Sequence, residues 1–284
     1  ICPPDRYQSI SNSFRQHYMK LKFIILGCGS SGGVPRIDGD WGSCDPNEPK
    51  NRRRRCSLLT QSETSQGVTN IVIDTSPDLR EQIIDAGINR IDAVLLTHDH
   101  ADQTHGIDDL RALVYKHMKR IPVWMDEATA QTIKTRFKYC FEELKNSGYP
   151  SILEDCRIED PLTPLQISGE GGTVGVIPFG QQHGRIRSLG YRIGNMVYSS
   201  DVSELPEESL GYIEGVDVWI VDALRLTPHP THFHLEKTLE YIERLKVKKA
   251  YLTNLHIDMD YAILLKNLPD HIRPAYDGLE INLI

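Results

Sequence analysis

Paired cysteines are missing from this 284-residue chain: its six cysteines, at positions 2, 28, 44, 56, 140 and 156, are scattered and form no C-x-x-C pair. That spacing excludes a disulfide framework and points to free thiols in a reducing, cytoplasmic setting. Long apolar runs are missing too. The longest hold about four residues, as in Phe23-Ile24-Ile25-Leu26, where a membrane-spanning helix needs roughly 20. Residues 1–18 are polar and lack the apolar stretch of a signal peptide, so they read as an N-terminal arm outside a folded domain over 19–284. Basic residues do not exceed acidic ones: 32 Lys and Arg stand against 39 Asp and Glu, a net charge of −7. Such a chain binds nucleic acid or an anionic membrane poorly, although a local site for a small anion remains compatible with it. No solenoid-period repeat and no low-complexity linker interrupts the sequence. A chain this long buries enough surface to fold without a structural metal.

Strand and helix signals fill the remainder in mixed order. Leu21–Leu26 is a β-rich run that ends in the glycine cluster Gly27-Cys28-Gly29-Ser30-Ser31-Gly32-Gly33. Strands are expected at 57–60, 70–74, 93–97, 162–167, 173–179, 189–193, 196–199, 216–221, 250–253 and 279–283. Helices are expected at 79–86, 107–118, 128–144, 205–213, 235–245 and 261–267. Paired strands among helices fit an α/β fold of layered sheets with helices outside.

The sharpest chemical signal follows the apolar strand Ala93–Leu96: Thr97-His98-Asp99-His100-Ala101-Asp102-Gln103-Thr104-His105. Alternate residues of an extended segment share a face, so His98 and His100 point the same way. Asp102 follows where the chain turns into a helix. Two imidazoles and a carboxylate within five residues make a ligand set for zinc, manganese or iron. Histidines gathered this densely after a buried strand fit poorly with an incidental polar turn.

This run resembles the H-x-H-x-D-H signature of the metallo-β-lactamase-fold hydrolases. The resemblance covers roughly residues 20–284 and implies a four-layer αββα sandwich. It implies further ligands in chain order, each just past an apolar run: His183, Asp201 and His256. The implied centre holds two divalent ions, zinc or manganese, on His98, His100, Asp102, His183, Asp201 and His256, with Asp201 bridging. One departure stands out: Gln103 occupies the place of the signature's last histidine, so the second ion is in doubt. An amide oxygen is a weaker ligand than imidazole. Asp99, His105 and His234 are candidates for supporting roles around the ligands.

The glycine-rich start and Arg55-Cys56-Ser57 narrow the resemblance to the branch that holds the phosphoribosyl cyclic phosphodiesterase of phosphonate degradation. Thr231-His232-Phe233-His234-Leu235 resembles that enzyme's Asn-His-x-Asp-Leu segment, which would place His232 at the leaving group as a general acid. That enzyme's structural zinc is not expected here, because Cys28, Cys44 and Cys56 are too dispersed. The implied activity is hydrolysis of a small, cyclic or nucleotide-like ribose phosphodiester by a metal-bound hydroxide, with Asp201 and His232 as the catalytic pair. The expected partner is a small phosphorylated substrate, and homodimerisation is left open. Three alternatives stand. One is ribonuclease Z-like activity, one is thioester hydrolysis on the same fold, and one is a non-catalytic metal-binding protein with a degenerate second site at Gln103. The histidines at 229, 232 and 234 form a separate candidate metal site, although Pro230 and the helix start break its geometry. The run Arg52-Arg53-Arg54-Arg55 reads as a solvated loop, from which one arginine is positioned to approach a phosphate.

Overall fold

A computed structural model describes residues 20–143 and 148–283. The polar N-terminal arm lies outside the described residues, as does the end of the helix expected over 128–144. The described chain forms two seven-stranded sheets, and the strand order is nearly that of the sequence.

The first sheet runs in the order β14-β1-β2-β3-β4-β5-β6. Its strands are β1 (Lys20–Gly27), β2 (Ser57–Thr64), β3 (Gly67–Ile73), β4 (Ala93–Leu95), β5 (Ile121–Met125), β6 (Leu153–Arg157) and the returning β14 (Glu280–Leu283). The second sheet, in the order β13-β12-β11-β10-β9-β8-β7, holds seven more. These are β7 (Leu165–Gly169), β8 (Gly172–His183), β9 (Ile186–Ile193), β10 (Met196–Ser199), β11 (Val218–Asp222), β12 (Ala250–Thr253) and β13 (Ile272–Pro274). In each sheet an antiparallel half passes into a parallel half, at β3 in the first and β10 in the second.

Alternation along the strands builds three apolar layers. On β1, Phe23 and Ile25 face the second sheet and meet Leu189, Tyr191 and Tyr198 in the central core. Ile24 and Leu26 face outward, under α1 (Leu79–Asp85), α3 (Arg111–His117), α4 (Glu127–Arg136) and α5 (Lys138–Phe141). Val197, Trp219 and Leu252 face outward from the second sheet, beneath α6 (Glu207–Leu210), α7 (Leu235–Arg244) and α8 (Tyr261–Asn267). The order helix, sheet, sheet, helix is the four-layer sandwich that the sequence implies. A further short helix, α2 (Ala101–Thr104), starts directly behind His100.

Three strands, β5, β6 and β13, have no counterpart in the sequence reading. Pro122 sits inside β5, which argues against a strand by sequence. β6 is a polar edge strand, Leu-Glu-Asp-Cys-Arg. β13 is three residues long and contains Pro274. The helix expected over 107–118 splits into a 3₁₀ turn at Ile107–Leu110 and α3, and the helix expected over 205–213 shortens to α6. Among the described residues, no helix is long and apolar enough to cross a membrane.

Candidate metal centre

The polar residues gather at one end of the sandwich, where the parallel strands of both sheets finish, as open α/β sheets place their ligands. Three of these strand ends share one device. Asp74 after β3, Asp201 after β10 and Asn254 after β12 adopt left-handed backbone, with φ of 63°, 52° and 61°. Aspartate and asparagine tolerate this region better than other side-chain-bearing residues, and the turn swings each polar group back over the strand end.

His98, His100, His183 and Asp201 each offer a ligand atom within 4.8 Å of the others. The three imidazole rings stand edge to face, with centroids 4.5 to 5.1 Å apart. Asp201 Oδ2 lies 3.8 Å from both His98 Nε2 and His183 Nε2. His98 is buried, and its Nε2 has no hydrogen-bond partner. A buried ring nitrogen aimed at two other imidazoles and a carboxylate is what a bound cation would satisfy. Burial pushes the His98 pKa down to about 3, and the neighbouring imidazoles add to this. Burial likewise lowers His183. Both rings are therefore neutral, the form that donates a lone pair to a metal. Burial acts to raise Asp201, but the imidazoles and the Ser200 hydroxyl outweigh it and hold its carboxyl below the usual range.

The His98 and His183 rings are fixed from behind. Thr97 Oγ1 lies 2.9 Å from His98 Nδ1 and donates to the buried Asp74 carboxylate, which also accepts the Thr97 backbone N–H. His183 Nδ1 donates to the Thr231 carbonyl at 2.6 Å. Such partners set the tautomer and so direct Nε2 into the site. The expected supporting residues have other partners. The Asp99 carbonyl accepts from Arg136, and the Asp99 carboxylate lies 3.8 Å from the same guanidinium. His105 packs against Phe137, and His234 precedes α7 with its ring 3.9 Å from Glu236. Asp74 and Thr97 do the orienting. They went unremarked in the sequence, although each is a polar residue directly after an apolar strand.

His232 stands beside the triad, its ring 4.6 Å from that of His183 and its Nε2 4.0 Å from Asp201 Oδ2. Its Nδ1 donates to Asp222 Oδ2 at 2.7 Å, and Asp222, the last residue of β11, is fully buried. Burial alone would lower His232, but the charge and hydrogen bond of Asp222, with Asp201 behind, raise it to about 9. The result is a cationic imidazole facing the cavity at neutral pH. His229 lies beside it, and His234 is turned to Glu236; the one metal-type cluster found among the described residues is the His98 group.

Asp102, Gln103 and His256 fall around the same end but do not join that group. Burial and the Asp201 carboxylate push Asp102 up to about 6. Gln103 is fully buried, and its Nε2 lies 3.3 Å from Asp102 Oδ2 and 3.2 Å from Asp201 Oδ1. Both ring nitrogens of His256 are engaged. Arg36 Nη2 lies 2.5 Å from Nε2, and Asp258 lies 2.9 Å from Nδ1. An arginine only donates, so Nε2 accepts and the proton sits on Nδ1.

His100, Asp102, His183, Asp201, His232 and His256 open onto a cavity of about 380 Å³. Ser30, Ser31 and Gly32 of the glycine cluster are among its lining residues, with Arg36, whose guanidinium bonds His256, and Arg225, whose guanidinium donates to the Thr227 and Pro228 carbonyls. Gly27 serves packing instead: a Cβ there would fall 2.1 Å from the Arg55 carbonyl. The arginine run corrects the sequence reading. Arg53 is buried and donates to the Met259 carbonyl, Arg54 pairs with Asp277 and Asp85, and Arg55 pairs with Asp78. The run ties loops together, and the arginines at the cavity come from elsewhere.

A family model described as a beta-lactamase superfamily domain matches residues 69–257. A crystal structure of a new diphosphatase from the PhnP family superposes with a TM-score of 0.83 at 34% identity, covering 93% of this chain and 98% of that one. Zn²⁺-bound PqqB from Methylobacterium extorquens shares the fold at a TM-score of 0.67 and 16% identity, covering 92% of this chain and all of that one. An octanoyltransferase from Porphyromonas gingivalis is 32% identical over 262 residues, which are 92% of this chain and 51% of that protein. The chain thus spans about half the length of this curated relative.

Proposed function

Because the chain belongs to the beta-lactamase superfamily, in its PhnP branch, we propose that it is a metal-dependent hydrolase of small phosphate esters, acting on a phosphodiester or diphosphate bond. The observation that carries the reading is the His232–Asp222 pair, set beside the trihistidine cluster and lining the same cavity. A hydrolase that expels a poor alkoxide needs an acid on the leaving-group side, and His232 is a protonated imidazole in that place.

A divalent cation held by His98, His100, His183 and Asp201 would supply water of lowered pKa and positive charge against the phosphoryl oxygens. The chain's own residues do the rest. His98 and His183, kept neutral by burial, present lone pairs. Asp74 through Thr97, and the Thr231 carbonyl, hold those rings in place. Arg36 and Arg225 line the cavity where a phosphate's remaining oxygens would lie, and guanidinium suits that geometry. His232 Nε2 delivers its proton to the departing oxygen, and Asp222 keeps the ring charged and oriented. The similarity to a PhnP-family diphosphatase supports phosphate chemistry.

The octanoyltransferase relative raises acyl transfer as a rival. Acyl carriage on a thiolate would call for a reactive cysteine at the cavity. Among the described residues no cysteine lines it, and burial pushes the thiols of Cys28, Cys44, Cys56 and Cys140 up. The test is a substrate panel with added Mn²⁺ or Zn²⁺: a cyclic ribose phosphodiester, a nucleoside diphosphate ester and an octanoyl thioester. Chelator-sensitive turnover of either phosphate substrate supports the proposal. Turnover of the thioester alone refutes it.

A further inference from the structure

We infer that the centre takes one divalent cation, and that the side-chain amides of Gln103 and Asn254 occupy by hydrogen bonding the place of a second. The inference rests on the trihistidine cluster holding a cation, and not on which ester is cleaved.

The two oxygens of Asp201 have separate surroundings. Oδ2 faces His98 Nε2 and His183 Nε2. Oδ1 accepts from Ser200 Oγ at 2.6 Å, Gln103 Nε2 at 3.2 Å and Asn254 Nδ2 at 3.3 Å. Three donors converge on an atom with two lone pairs, which leaves none for a second ion. Gln103 Nε2 also reaches Asp102 Oδ2 at 3.3 Å. One neutral amide therefore bridges two carboxylates that a cation would otherwise have to hold together. Its two N–H bonds present partial positive charge to both, without the cost of desolvating an ion.

The remaining side chains agree. Gln103 is fully buried and Asn254, at the cavity wall, is 2% exposed, so both amides are held chiefly by protein partners. The Gln103 Oε1 atom points away from the carboxylates and has no partner. Turning it inward would bring a third oxygen against Asp102 and Asp201. His256 gives its Nε2 lone pair to Arg36. A second ion would need four changes at once: flipped Gln103, displaced Asn254, freed Asp201 Oδ1 and a His256 released from Arg36. The first ion needs none, because its ligand atoms already converge on an unpartnered nitrogen.

The experiment is metal stoichiometry on the full chain, stripped, reloaded with Mn²⁺ and desalted, then measured by elemental analysis with electron paramagnetic resonance alongside. The wild type is expected to retain one equivalent, with the spectrum of an isolated ion. Gln103→Glu, nearly isosteric, and the double variant Gln103→His/Asn254→His are each expected to take a second equivalent. Their second ion should bind at least ~10-fold more tightly than any in the wild type, with a spin-coupled spectrum. Two tight equivalents in the wild type would overturn the inference and leave the hydrolase reading standing. No bound ion would overturn both. Variants that keep native circular dichroism and still hold one equivalent would overturn the role given to the amides.

Discussion

Replacing Asp222 by asparagine removes one charge from the buried pair that keeps His232 protonated, while an amide oxygen remains to accept from Nδ1. The distance is 2.7 Å, Asp222 is fully buried, and His232 is raised to about 9. Without that carboxylate the upward push is mostly gone, and burial pulls the ring toward or below the ordinary value of ~6.5. A general acid works in its protonated form, so activity is lost as pH rises through its pKa. At pH 8 a group of pKa 9 is about nine-tenths protonated, whereas one of pKa 6.5 is ~3% protonated. The variant should lose ~30-fold in turnover at pH 8 and less than about twofold at pH 6. The assay is a profile of kcat/KM from pH 5.5 to 9.5 on a phosphodiester with an alkoxide leaving group. A p-nitrophenyl ester serves as control, because its leaving group needs no proton and should show a much smaller loss. An alkaline limb that stays in place, or equal losses on both substrates, would refute the acid role of His232.

Other outcomes follow from the same geometry. His98→Ala removes the ligand whose buried Nε2 stands unpartnered, and turnover should fall ~10³-fold or more together with bound metal, read by elemental analysis. Asp74→Ala strips the acceptor from Thr97 and should weaken metal binding ~10- to 100-fold and stability by about 1–3 kcal/mol, measured by calorimetric titration and melting. Asp74→Asn, which keeps an acceptor and tolerates the left-handed turn, should recover part of both. Tyr191→Phe deletes the 2.6 Å bond to the Leu96 carbonyl and should cost about 1–2 kcal/mol in denaturant unfolding. Chelation should lower the melting temperature by ~5–10 °C relative to metal at 100 times its dissociation constant.

Much of the architecture was readable because it is local. The alternation in β1 and the apolar brevity of β4 show where strands lie, and the ordered histidines and aspartates at their ends show where they finish. What escaped depends on neighbours far along the chain. β5 contains Pro122, which by itself argues against a strand, and only its place between β4 and β6 accounts for it. Asp222 looks like any strand-ending acid until the segment leading into α7 brings His232 onto it. Arg36 lies in an irregular loop, and no periodicity could bring it to the cavity, while Arg53, Arg54 and Arg55 of the more conspicuous run are spent on loop pairing. Asn254 is the most instructive case. It follows a strand just as Asp201 does, but the conspicuous histidine two residues later drew the sequence reading away from it.

The proposed ligands are split between the two sheets. His98 and His100 follow β4 of the first, while His183 ends β8 and Asp201 follows β10 of the second. Beside them, Leu189 N donates to the Thr97 carbonyl and Tyr191 Oη to the Leu96 carbonyl, both from β9 of the second sheet. A cation seated there would act as a clasp at this end of two layers that also meet through apolar contact and through cross-sheet bonds elsewhere, such as Ser62 Oγ to the Gly171 carbonyl and Thr69 Oγ1 to the Gly172 carbonyl. Occupancy and interlayer stiffness then become one thermodynamic quantity: whatever loosens the clasp end weakens the ion, and loss of the ion loosens that end first. Amide exchange in β9 should therefore report metal loading as faithfully as any assay of turnover, at a distance from the reacting atoms.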